Sequence, residues 1–73
     1  MERLTKRDLE LKIERINDLL KNISLKLEKR YNYWAIDIYD KEGLKETLLA
    51  GLKTREAYDI LYAIEKVLEL EKA

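Results

Sequence analysis

The stretch Lys21-Asn22-Ile23-Ser24-Leu25-Lys26-Leu27-Glu28 decides the fold, because two periodicities overlap in it. Ile23 and Leu27 extend the helical stripe of Leu9, Ile13, Ile16 and Leu20, which would give one helix of about 25 residues. Ile23, Leu25 and Leu27 also alternate with Ser24, Lys26 and Glu28, as in a half-buried strand. The strand is preferred for a physical reason. Downstream, Tyr33–Tyr39 and Leu44–Ala50 read as a hairpin, and a lone two-stranded hairpin is marginal in water, so a third strand supports it. Asn22 is then expected to end the helix in a left-handed conformation.

Upstream, Thr5 can cap the helix, with Asp8 at the third position of a capping-box arrangement. Asp8 and Lys12 are spaced to pair across one turn. Downstream, Tyr33–Tyr39 is rich in aromatic and β-branched residues. Trp34, Ile36 and Ile38 share one face of that strand; Tyr33, Ala35, Asp37 and Tyr39 share the other. Asp40-Lys41-Glu42-Gly43 has the Asp-first, Gly-last pattern of a type I turn. Gly51 and Leu52 lead to Thr54, the expected cap of a last helix with an inner stripe of Ala57, Leu61, Ile64 and Leu68, widened by Ile60 and Val67. The expected fold is α+β, in the order helix, three-stranded antiparallel meander, helix (αβββα), as one domain over residues 1–73 with both helices on one face. The alternative is αββα with a longer first helix.

Composition limits the function. The chain has 73 residues, 15 basic and 15 acidic, for a net charge of zero, which argues against a general polyanion binder. It has no cysteine and no histidine, so thiol chemistry, disulfides and the commonest metal ligand and catalytic base are absent. No apolar run approaches the roughly 18–20 residues of a membrane span. The basic start leads into no apolar signal region, so an intracellular, cytoplasmic protein is expected. A domain this small has little core, and self-association is one source of further burial. Ten Lys, ten Glu and no Gln give a thermophile-like composition. The zero charge divides into nine basic and six acidic residues over 1–30, and six and nine over 31–73. Opposite halves attract, within the domain or across a dimer.

Several residues stand out as candidates. Tyr31, Tyr33 and Tyr39 share one parity of the strand region, on the face that two helices over Trp34 would leave uncovered. Such a face suits a homodimer contact, base stacking on nucleic acid, or a solvated surface. Leu4 and Leu11, seven apart, read as an exposed pair on the first helix, suited to a partner helix. Arg3, Lys6 and Arg7 form the densest basic group, a candidate contact for phosphate. Tyr58 and Tyr62 read as a pair at the edge of the core stripe. Asp37, Asp40 and Glu42 could offer oxygens to a hard cation, but their spacing does not match a calcium loop; the simpler reading makes Asp40 the turn initiator and Asp37 a solvated strand residue. Ser24 is the only serine and no histidine can activate it. No enzyme activity, cofactor or metal is expected.

The opening Leu4-Thr5-Lys6-Arg7-Asp8-Leu9-Glu10, with Glu14-Arg15-Ile16-Asn17-Asp18-Leu19-Leu20, resembles the start of small open reading frames of phages, archaeal viruses and integrated elements. In these a basic-capped helix ends in an Asn-x-Leu-Leu stretch and a sheet follows. The segment Gly51-Leu52-Lys53-Thr54-Arg55-Glu56-Ala57-Tyr58 is similar to a helix start of the same group, with Lys53 and Thr54 in the opposite order. Lys21 and Asn22 stand where that group often has a glycine. The resemblance implies a first helix ending near residue 22 and a mobile-element origin, and it carries over no catalytic residue. The expected function is a small interaction or structural module that forms a homodimer through its sheet face. The alternative is a nucleic-acid-binding accessory or regulatory protein of a mobile element.

Overall fold

Thr5 opens the first helix as its spacing predicts. Its hydroxyl accepts the Asp8 N–H at 3.4 Å, and Asp8 Oδ2 accepts the Thr5 N–H at 2.8 Å, which completes the capping box. The computed structural model describes residues 3–43 and 45–72. In chain order the elements are α1 (Lys6–Leu19), β1 (Ile23–Arg30), β2 (Tyr33–Asp40), β3 (Lys45–Leu52) and α2 (Thr54–Lys72). The fold is thus αβββα, and residues 23–28 are strand rather than a continuation of α1. Asn22 is not the left-handed terminator: α1 ends at Leu20, which turns extended at φ −90°, ψ 146° while its N–H still bonds back to Ile16 and Asn17.

The sheet is an antiparallel meander in the order β1-β2-β3. β1 and β2 pair without a break, from Ile23 opposite Asp40 to Arg30 opposite Tyr33. Only Tyr31 and Asn32 remain to turn the chain, and Tyr31 does so at φ 59°. Tyr31 therefore sits in a tight turn, outside the strand parity of Tyr33 and Tyr39. The second turn follows expectation: the Gly43 N–H reaches the Asp40 carbonyl at 3.1 Å, and Asp40 Oδ1 accepts the Glu42 N–H at 2.9 Å.

β3 extends beyond its predicted end to include Gly51 and Leu52, while Leu44 lies outside the described residues. Asp37 faces Thr47, Ile36 faces Leu49 and Trp34 faces Leu52, so β3 bulges twice. The first bulge explains the adjacent leucines. Leu48 is the additional residue, which keeps Thr47 on the outer face with Asp37 and Leu49 on the helix side with Ile36. Gly51, at φ 71°, supplies the left-handed residue of the second.

Thr54 does not cap α2. The Lys53 carbonyl accepts the Ala57 N–H at 2.9 Å and the Lys53 N–H donates to Glu56 Oε1 at 2.9 Å, so Lys53 stands at the cap. The Thr54 hydroxyl instead accepts Trp34 Nε1–H at 3.2 Å, which satisfies the buried indole.

Both helices cover the same face of the sheet, α1 packing against α2 and on β1, and α2 on β2 and more lightly on β3. Leu9, Ile16, Ile36 and Leu61 are fully enclosed between the layers, each worth about 1.5–3 kcal/mol of apolar burial. The antiparallel sheet and the short connections at 20–22 and 53 make α1 and α2 run in the same direction.

Candidate interaction surfaces

The outer face of the sheet, opposite the helices, is organised around Asp37. This side chain is fully buried, not solvated as its strand parity suggests. Arg30 Nη2 donates to Asp37 Oδ2 at 2.8 Å, Thr47 Oγ1 donates to Oδ1 at 2.9 Å, and Lys45 Nζ lies 3.4 Å from Oδ2. Glu28 bridges the same two cations, 3.1 Å from Arg30 Nε and 3.6 Å from Lys45 Nζ. Burial by itself would raise the Asp37 carboxyl. Hydrogen bonds from Thr47 and Lys45, with the charges of Arg30 and Lys45, outweigh that and hold it below its ordinary value. The same contacts raise their partners, Arg30 chiefly through its bond to Glu28 and Lys45 chiefly through its bond to Asp37. Among the described residues no buried side-chain polar atom lacks a partner.

The tyrosines are therefore not one continuous patch. Tyr33 and Tyr39 flank this polar network, with Lys26 Nζ 4.9 Å from the centre of the Tyr39 ring. Tyr31 projects from the hairpin turn and is 96% exposed.

Between the helices lies a feature the sequence reading missed. Lys12 and Glu65 form a buried ion pair, and Lys12 Nζ also sits 5.0 Å from the Tyr62 ring and 5.6 Å from the Tyr58 ring. Lys12 thus reaches across to α2 rather than back to Asp8, whose carboxylate is engaged by Thr5. A signal was present. Lys12 stands between Leu9 and Ile16, and Glu65 between Leu61 and Leu68, both at stripe positions and with opposite charge.

At the edge of β1, the Asn17 side chain acts as a substitute strand. Its Oδ1 accepts the Leu25 N–H at 2.8 Å and its Nδ2 donates to the Leu25 carbonyl at 3.0 Å. Beside it, between α1 and β1, runs an open groove of about 490 Å³ with Ile13, Leu25 and Leu27 along it. Lys6 and Arg7 line this groove, together with Glu10 and Glu14, so acidic side chains accompany the predicted basic group; Arg3 is exposed ahead of the helix. Leu4 does not form a helical pair with Leu11. It precedes the Thr5 cap, at the position from which an apolar residue packs onto Leu9 of the first turn, and it is half-buried. Leu11 remains exposed on α1.

At the opposite edge α2 covers β3 only lightly. Every residue of it is exposed except Leu52, including Leu48 at 43% and Leu49 at 42%. On α2, Val67 and Leu70 are 65% and 69% exposed. Among the described residues no group of three or more acidic side chains forms a metal site, and no helix is long and apolar enough to cross a membrane. Comparison with known proteins gives no matching family model, no matching curated protein and no matching solved structure.

Proposed function

We propose that this chain is a small interaction module that self-associates, and that the contact is made by β3 and the adjoining flank of α2. The observation that carries the reading is the lightly covered β3, which presents Leu48 and Leu49 beside an open strand edge. The outer sheet face supports self-association less well than the tyrosine pattern suggests, since its central carboxylate is already buried and paired by its own neighbours.

Sedimentation equilibrium of the chain tests this. A dimer is expected at roughly 100 µM, and a monomer there overturns the reading. Leu48→Glu and Val67→Glu, both at exposed positions, should dissociate the dimer while leaving the melt cooperative. Tyr33→Glu with Tyr39→Glu should leave it associated. If the tyrosine variant alone dissociates, the contact lies on the outer face instead.

A further inference from the structure

Helix α2 carries two apolar stripes. Ala57, Leu61, Ile64 and Leu68 face the core. A second stripe, Ile60, Ala63, Val67 and Leu70, recurs at spacings of three, four and three, which is the seam spacing of paired helices. Lys12 gathers Tyr58, Tyr62 and Glu65 on the side of α2 that meets α1. By helical periodicity the second stripe falls on the opposite side, towards β3. There Ile60 is half-buried, while Ala63, Val67 and Leu70 are exposed.

We infer that a second copy of this chain occupies that seam, with its α2 antiparallel to the first across a two-fold axis; this rests on the self-association proposed above. The pairing that centres the stripe on itself sets Ile60 opposite Leu70 and Ala63 opposite Val67. The small Ala63 lets the two helices approach. Asp59 and Lys66 each precede a seam residue by one position, so both lie on the same flank. An antiparallel copy meets that flank in reverse, bringing Asp59 of each chain to Lys66 of the other, twice per dimer. A parallel pairing would set Asp59 against Ile64. Within one chain Asp59 pairs with Arg55 at 3.5 Å, and both side chains are largely exposed, so little opposes the exchange.

Charge reversal tests the register by sedimentation equilibrium of the whole chain. Asp59→Lys and Lys66→Asp should each weaken the dimer about tenfold, and the double variant should recover to within about threefold of the parent. The chain has no cysteine, so mixing Ala63→Cys with Val67→Cys under oxidation should give the mixed disulfide in preference to either symmetric one. A parent dimer indifferent to both single reversals, or one in which the double variant fails to recover, overturns the antiparallel register and leaves self-association standing. Failure of the mixed disulfide to dominate does the same. A monomeric parent removes the inference together with the reading beneath it.

Discussion

Lys12 of α1 and Glu65 of α2 neutralise each other inside the helix–helix contact, with the Tyr58 and Tyr62 rings around the ammonium. Removing one partner leaves a buried charge, so Lys12→Met or Glu65→Leu alone should cost about 3 kcal/mol. The double variant should return close to the parent, because an apolar pair of similar volume has no desolvation cost to recover. Urea unfolding of the four proteins measures the coupling. Additive losses would show that the two side chains act independently.

Asn17 fixes the edge of β1 at Leu25 with two hydrogen bonds. Asn17→Ala removes both and should cost about 2 kcal/mol in a chemical melt. It also leaves the Leu25 N–H and C=O free to pair with another chain. Light scattering on heating should therefore rise earlier than in the parent, by more than the lower stability alone accounts for.

Asp37 gives the outer face its pH dependence. Its folded carboxyl lies below the unfolded value, so its contribution is complete above about pH 4 and is lost as the pH falls through the lower folded value. Thermal stability should be level above that point and decline on acidification. Asp37→Asn should flatten the decline and cost about 2 kcal/mol at neutral pH, less than a wholly buried pair because Arg30 and Lys45 are partly exposed. An unchanged acid limb in this variant would exclude Asp37 as its source.

Tyr31 holds a left-handed backbone angle at a position where its ring packs on nothing. A side chain there is strained, and glycine is not. Tyr31→Gly should stabilise the hairpin by about 1 kcal/mol, read as an upward shift in melting temperature. A loss of stability would mean that the ring supports the turn.

The element order was legible because alternation over Ile23–Leu27 agreed with the need of the β2–β3 hairpin for a third strand. The capping box at Thr5 and the turn at Asp40–Gly43 were legible because each uses residues within one turn of the chain. Asp37 was not. Alternation places it on an uncovered face, and its burial comes from Arg30, Lys45 and Thr47 on the two neighbouring strands. The β3 bulges left only the Leu48–Leu49 pair and Gly51 as traces. Thr54 has the chemistry of a cap, and only the position of Trp34 diverts its hydroxyl. The second stripe of α2 is visible in sequence, but the core claims Ile60 and Val67 as well until the position of α1 separates the two sides.

Because α1 and α2 point the same way, their peptide dipoles add instead of cancelling. The end bearing the Tyr31 turn therefore carries the partial positive charge of two helix starts, moderated by Asp8 and Glu56, and the far end carries two negative ones. A single chain is electrically polar along its helices even though its formal charge is zero. Two chains laid antiparallel along α2 form an object with no net dipole along that direction.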